Sequence, residues 1–314
     1  MTQRIQVIVN PSSGDAKPEI DLVEKVFEEQ NVSWQLSVTK YKGDIQRLAK
    51  LAVAEGVDVV AVYGGDGTLN EAAQALISTR IPLGILPGGT GNVMALELGI
   101  PKDIAGAASL ICGLDSQVIE IDVGQMGNHC FLLRAGFGFE AGIIADTDRS
   151  QKKQMGLLAY VWNGLRNLRD PEIAEYRFRI DGDVVEAEGF VATVVNAGSL
   201  GIAGLHLGRP ISLHDGLLDL LVIKEPNWQL LLGVMEKAIG DGELTLDEEN
   251  AGGQRVLTDV ADVYEMVDHW QGTVIEVEMQ PKQYVQYDGE PLDVLSWPLE
   301  CKALSAALRV IVPS

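Results

Sequence analysis

From residue 5 to about residue 115 the chain repeats one phrase: a short apolar run, a cluster of glycines or turn residues, then an amphipathic stretch of helical period. The clearest instance is Val57–Tyr63, a near-continuous β-branched run that stops at Gly64-Gly65. Such a run fits a strand buried on both faces, the situation of strands in parallel sheets covered by helices. Ile5–Val9, Trp34–Val38 and Leu83–Leu86 read as three more strands. Lys17–Glu29 carries Ile20, Val23, Val26 and Phe27 on one stripe, and Ile45, Leu48, Ala49, Leu51 and Ala52 mark a second helix. Further helices follow the glycines after Tyr63 and after Leu86. This alternation predicts a parallel sheet with helices on both faces.

Near Ser116 the phrase changes and strands dominate. Gln117–Asp122, Cys130–Ala135, Tyr176–Ile180, Val184–Val195, Leu217–Ile223 and Thr273–Met279 all read as strands, many separated by glycine turns. Two helical stretches interrupt, at Gln154–Leu168 and Trp228–Ile239. The 314 residues are enough for two domains. The reading is an α/β N-terminal domain with a parallel sheet over residues 1–122 and a β-rich, sandwich-like C-terminal domain over 123–314. About the last 15 residues are placed as a return to the first domain.

Composition excludes some functions. With 24 Lys and Arg against 45 Asp and Glu, the net charge is −21. Nucleic-acid binding needs clustered positive charge, so the expectation is no nucleic-acid partner. Cys112, Cys130 and Cys301 are odd in number and widely spaced, which suggests neither a disulfide framework nor a zinc site. The chain enters a strand-like run at Arg4 with no signal-peptide core before it, and no apolar run is long enough to span a bilayer. A reduced, cytoplasmic setting is expected. Oligomeric state has no signature in the chain.

The chemistry gathers where strands end. Gly64-Gly65-Asp66-Gly67-Thr68-Leu69-Asn70-Glu71 follows one strand, Pro87-Gly88-Gly89-Thr90-Gly91-Asn92 another, and Asn10-Pro11-Ser12-Ser13-Gly14 the first. Glycines let backbone amides approach a bulky anion, and the following helix points its positive end there. Asp66 offers a hard oxygen suited to magnesium, or serves as a helix cap. Three such loops at three strand ends favour a phosphate cradle, because open α/β sheets bind ligands there. There is no GxxxxGK[ST] sequence and no dinucleotide fingerprint.

NPSSG, GGDGTLNEA and LPGGTGNVMALELGIP, in that order, resemble the catalytic domain of the diacylglycerol kinase and sphingosine kinase superfamily, and most of all its soluble bacterial lipid kinases. FLLRAGFGFEA, Asn196-Ala197-Gly198, HDGLLDL and QYDGEPL extend the resemblance over nearly the whole chain. It departs at Val93, where the family often has Asp, at Leu96, where an Arg is common nearby, and at Glu140, where Asp is usual.

The resemblance implies a nucleotide-binding half like those of NAD kinases and phosphofructokinases. It implies ATP and Mg2+ as cofactors and a lipid hydroxyl as acceptor. It carries nucleotide-binding roles onto Asn10, Pro11, Ser12, Ser13, Gly14, Thr39, Gly65, Asp66, Gly67, Thr68, Leu69, Asn70, Glu71 and Thr90. Asp66 and Asp122 would serve the catalytic metal. A second, structural magnesium would sit in the turn of Ser212, Asp215 and Leu217. The general base would be Glu290, with Asp288 close by as the competing candidate. Read without the resemblance, Asp288-Gly289-Glu290 is a hairpin turn and Asp215-Gly216 an ordinary turn before a strand.

A lipid substrate requires visits to the membrane surface. Residues 149–169 carry Arg149, Lys152, Lys153, Arg166 and Arg169 without an acid between them, around Met155, Leu158, Trp162 and Leu165 at helical spacing. This is either an interfacial helix or a helix packed on the second domain. Two competing readings of the whole chain are a NAD kinase-like small-molecule kinase and a non-catalytic nucleotide- or lipid-binding relative.

Overall fold

The computed structural model of the protein describes residues 3–13, 19–138, 173–198, 211–224 and 267–314. Strands β1 (Arg4–Val9), β2 (Ser33–Val38), β3 (Val59–Gly64) and β4 (Leu83–Pro87) pair in parallel in the order β2-β1-β3-β4. Every residue of β3 and β4 is buried, as the β-branched run demands, whereas the edge strand β2 has no buried residue. Helices α1 (Ile20–Glu29), α2 (Asp44–Glu55), α3 (Asp66–Leu76), α4 (Val93–Glu97) and α5 (Ile104–Ile111) complete the alternation. Helix α1 packs against α5 and α2 against α3. The apolar stripe of α1 buries Val23 and Phe27 completely, and Phe27 meets Trp34 edge-on at 5.7 Å between ring centroids.

The β-rich part begins with β5 (Ser116–Met126), β6 (His129–Phe131), β7 (Arg134–Gly138), β8 (Ala174–Ile180), β9 (Asp183–Gly189) and β10 (Val191–Val195). It continues with β11 (Leu218–Ile223), β12 (Val267–Gly272), β13 (Val274–Gln280), β14 (Val285–Tyr287), β15 (Glu290–Leu292) and β16 (Leu299–Pro313). One antiparallel sheet runs β12-β11-β10-β7-β14-β15. Facing it, the large sheet continues past β4 as β16-β13-β8-β9, with β5 and β6 attached through β16. Phe131, Phe137, Tyr176, Phe178, Leu220 and Val277 fill the space between the two sheets. The architecture is therefore the α/β unit plus β-sandwich expected from the strand pattern.

Three features differ from the strand reading. Val184–Val195 is not one strand but two: β9 lies in the large sheet and β10 in the second. The chain crosses at Gly189, where a Cβ would stand 2.5 Å from Val222 Cγ1, so only glycine passes. Cys130–Ala135 is split into β6 and β7, because the amides of Leu132 and Leu133 turn to the Asp288 carboxylate instead of a ladder. β16 serves both halves: Val310 pairs in parallel with Leu83 of β4, while Leu299–Lys302 pair antiparallel with β13. The helical stretches at 154–168 and 228–239 lie outside the described residues.

Candidate active site

The loops after β1, β3 and β4 meet at the carboxyl edge of the parallel strands. The Asn10 amide donates to the Tyr63 carbonyl at 3.1 Å, and the Gly88 amide to the Gly64 carbonyl at 3.0 Å. Asn10 Nδ2 donates to Thr68 Oγ1 at 3.0 Å, and the Ser13 hydroxyl shares a hydrogen bond with the same oxygen at 3.1 Å. Thr68 thus ties the first loop to the start of α3. Gly65 and Gly89 lie back to back: a Cβ on Gly89 would stand 2.5 Å from Gly65 Cα. A Cβ on Gly88 would meet the Tyr63 ring at 2.4 Å. These glycines are required by close approach of backbone to backbone and backbone to ring. The first amides of α3, at Asp66 and Gly67, are orphan donors of the kind every helix leaves, and no acceptor among the described residues takes them. Asn70 is buried with its Oδ1 unpartnered.

Asp66 has an immediate task of its own. Its Oδ2 accepts the Val93 amide at 3.1 Å and its Oδ1 the Met94 amide at 2.9 Å, capping α4. Asn92, at φ 48°, clasps Gly89 in both directions at 2.8 Å. The second glycine loop is therefore held by a residue from the first. Leu69, carried onto the nucleotide site by resemblance, is a core side chain at 1% exposure, so only its backbone can face a ligand. Thr39 is buried and donates its amide to Val9, and Thr90 is exposed on the rim. Gly14 lies outside the described residues, as do Glu140 and the basic segment 149–169.

Asp122 is also occupied by backbone. It is 1% exposed; Oδ1 accepts the Ala306 amide at 2.8 Å and Oδ2 the Gly216 amide at 2.7 Å. Its own amide donates to the Leu213 carbonyl at 2.7 Å. Asn196, buried, donates from Nδ2 to the carbonyls of Asp122 and Leu132 at 3.0 and 2.8 Å. Asp122 thus fastens β5, the 212–217 turn and the bulge of β16 at one point. In that turn Asp215 Oδ1 accepts the Leu217 amide at 3.1 Å, and Ser212 Oγ the His214 amide at 3.1 Å.

The magnesium places can be tested against these donors. Among the described residues no group of three or more His, Cys, Asp or Glu gathers. Each oxygen of Asp66 keeps a lone pair beyond its amide bond, and Asp215 is exposed with Oδ2 unoccupied. Such single carboxylates with nearby carbonyls suit a magnesium that keeps most of its waters, not a closed protein cage. No hydrogen bond links Asp66 to Asp122 among the described residues, and the turn of Ser212, Asp215 and Leu217 is tied to β5 by the Gly216 amide on Asp122 Oδ2 at 2.7 Å and by His214 Nδ1 beside the Glu120 carbonyl at 2.9 Å.

The last piece comes from the second sheet. Asp288, at φ 43°, accepts three amides: Leu132 to Oδ2 at 2.7 Å, and Leu133 and Arg134 to Oδ1 at 3.0 and 2.9 Å. Burial pushes its carboxyl up to about 6, against those amides and the Arg134 charge, which pull it down. Both of its oxygens are thus engaged by the chain's own backbone. Glu290 is different. Its side chain is 42% exposed and meets Lys42 Nζ at 3.4 Å, on the loop that follows β2. On the same side, Glu71 Oε1 accepts the Gly43 amide at 3.0 Å. Tyr287 lies among these groups, its ring tilted by 30° against that of His129 with centroids 4.8 Å apart; burial, then Glu290, Asp288 and Glu71, raise its hydroxyl pKa. The D-G-E loop therefore faces the carboxyl edge of the parallel strands. Lys42 and Tyr287 were not among the residues singled out by sequence. A lysine in a strand-end loop and a tyrosine before a turn carry no spacing signal.

Comparison with known proteins adds to this geometry. Residues 4–126 match the diacylglycerol kinase catalytic domain, and residues 134–312 the YegS C-terminal NAD kinase beta sandwich-like domain. A diacylglycerol kinase of Bacillus subtilis (strain 168) is 28% identical over 99% of this chain and 97% of its own. A probable YegS-like lipid kinase of Pseudomonas aeruginosa (strain PAO1) is 33% identical over 88% of this chain and 84% of its own. The crystal structure of a diacylglycerol kinase from Bacillus anthracis str. Sterne superposes with a TM-score of 0.74 at 26% identity, covering 99% of this chain and 97% of that one. Fold, seam and matches together define a kinase built from an α/β half and a β-sandwich half. The chain belongs to the diacylglycerol kinase-type family of YegS-like lipid kinases.

Proposed function

We propose that the protein is an ATP- and magnesium-dependent lipid kinase that transfers the γ-phosphoryl group to the hydroxyl of diacylglycerol or a related lipid at a membrane surface. The observation that carries this reading is the meeting of Glu290 with the β2 loop, 3.4 Å from Lys42, which sets a solvent-reachable carboxylate opposite the glycine seam. The orphan amides of α3 and the exposed Thr90 receive the phosphates, with the buried Thr68 holding the loop of Asn10 and Ser13 beside them. The loop of Asn10, Pro11, Ser12 and Ser13, with Thr39, borders the rest of the nucleotide. A magnesium beside Asp66 would neutralise charge on the transferring phosphate. In the transfer, the bond between the γ-phosphorus and the ADP oxygen breaks as the lipid oxygen bonds to phosphorus, and the hydroxyl proton passes to a Glu290 oxygen. Asp288 holds the 132–134 backbone, so that β7 and the D-G-E turn keep Glu290 in place.

No helix among the described residues is long and apolar enough to cross a membrane. The test is direct. Protein, ATP, magnesium and a total lipid extract, with NAD in a parallel tube, should yield a new phospholipid and no phosphorylated NAD. Phosphate appearing on NAD alone overturns the lipid assignment. Nucleotide binding without transfer to any acceptor makes the chain a non-catalytic relative.

A further inference from the structure

We propose that Lys42 is the cation that receives the phosphates of the bound nucleotide, and that Glu290 holds it until nucleotide arrives. The assignment rests on the kinase reading above and adds to it a residue and an order of events. Lys42 stands at the tip of the loop after β2, at the same carboxyl edge as the glycine loops. That loop is tied on both sides. The Asp44 carboxylate accepts the amides of Lys40 and Tyr41 at 2.9 and 3.0 Å, and those bonds, then the Arg47 guanidinium, hold its pKa down. The Gly43 amide is fixed to Glu71, which lies on α3 just beyond the orphan amides. The backbone of Lys42 is thus anchored to the helix that opens the phosphate seam, while its side chain is 85% exposed.

The charge balance favours such a group beside the magnesium. The glycine loops contain no Lys or Arg, the chain carries a net −21, and Glu71, Asp288 and Glu290 all surround Tyr287. Among the described residues a triphosphate entering this neighbourhood meets these three carboxylates and two cations: Arg134, whose charge acts on the buried Asp288, and Lys42, whose described partner is Glu290. An ion pair open to water on both sides is weakly held. A triphosphate offers more charge and more acceptor oxygens than one carboxylate. Lys42 therefore passes from Glu290 to phosphate when nucleotide binds, and Glu290 is released to face the acceptor hydroxyl. Nucleotide comes first and lipid second.

If Glu290 and phosphate compete for Lys42, linkage requires that neutralising Glu290 tighten the nucleotide, and only while Lys42 is present. Calorimetric titration of a non-hydrolysable ATP analogue with magnesium reads this without any lipid turnover. K42A should bind about tenfold more weakly, the loss of one charge-assisted contact. E290Q should bind about two- to fivefold more tightly at low salt, and K42A/E290Q should bind like K42A. K42R should recover most of the affinity. Circular dichroism should match wild type for all variants, since Lys42 touches no core. Equal binding by wild type and K42A overturns this assignment alone, as does tightening by E290Q that persists without Lys42. A wild-type chain that binds no nucleotide overturns the kinase reading and this assignment with it.

Discussion

Asp288 and Glu290 stand two residues apart and should answer to different measurements. In Asp288→Asn the amide oxygen can keep the place of Oδ1, which accepts Leu133 and Arg134 at 3.0 and 2.9 Å. The amide nitrogen then faces the Leu132 N–H, which donates to Oδ2 at 2.7 Å, so one acceptor becomes a donor opposite a donor. Leaving one buried donor without a partner costs about 1–3 kcal/mol. Asparagine tolerates the positive φ of this position, so the backbone adds little. Asp288→Ala loses all three bonds and strains the backbone, for about 3–5 kcal/mol. Urea denaturation followed by circular dichroism should rank wild type above D288N and D288N above D288A. The pH dependence has a definite sign. Burial raises the folded carboxyl to about 6, whereas an unfolded one titrates near ~3.9. The protonated form is therefore favoured by folding. Its contribution is full below about pH 4 and is lost as pH rises through about 6. D288N has no such titration, so its deficit relative to wild type should narrow between those limits. D288A stability within about 0.5 kcal/mol of wild type would refute the positioning role. A D288N that is as stable as wild type yet inactive would move the base to Asp288.

Three further outcomes follow from the same geometry. Glu290→Gln should lower turnover by about two to four orders of magnitude, without loss of nucleotide affinity and with unchanged urea stability; parental turnover on the preferred lipid would remove Glu290 from the chemistry. Gly89→Ala drives a Cβ into the Gly65 backbone at 2.5 Å, where neither side can yield, and should separate the two glycine loops and abolish measurable nucleotide binding while the sandwich stays folded; binding equal to wild type in the titration would mean the seam is not the phosphate site. Neutralising Lys152 and Lys153 should weaken co-sedimentation with anionic vesicles by about 1 kcal/mol per charge, and unchanged sedimentation at low salt would exclude this segment as the docking site.

The parallel half was legible because each of its central strands is buried on both faces and ends in glycines, so pattern and fold coincide. The β-rich half was less so, for reasons visible at single residues. Nothing in the run Val184–Val195 signals a change of sheet except Gly189, and a lone glycine in a strand is ambiguous until the neighbour it accommodates is known. Leu132 and Leu133 look like strand residues; their amides are claimed by an aspartate some 155 positions away. β16 contains Leu304-Ser305-Ala306-Ala307, a weak strand sequence, and exists because β4, β5 and β13 all offer it edges. Within the site, the glycines at strand ends point to the seam, and Asp66 points to magnesium by its chemistry. The roles of Asp122, Asp288 and Glu290 come from the family resemblance, since those residues read alone as turns. Asp66, Asp122 and Asp288 all accept backbone amides, which only the tertiary structure reveals.

β16 gives the molecule a mechanical character of its own. Its first half is woven into the sandwich and Val310 lies against β4, so the two halves are joined by fabric as well as by loops. At the place where a door hinge would be, the strand bulges between Leu304 and Leu308. There Ala306 sits at φ 49°, fastened to Asp122, and the Ser78 amide at the end of α3 grips the Ala307 carbonyl at 2.9 Å. Motion of one half against the other would have to twist this shared ribbon, and the bulge where it could bend is pinned from both sides, by Asp122 and by Ser78.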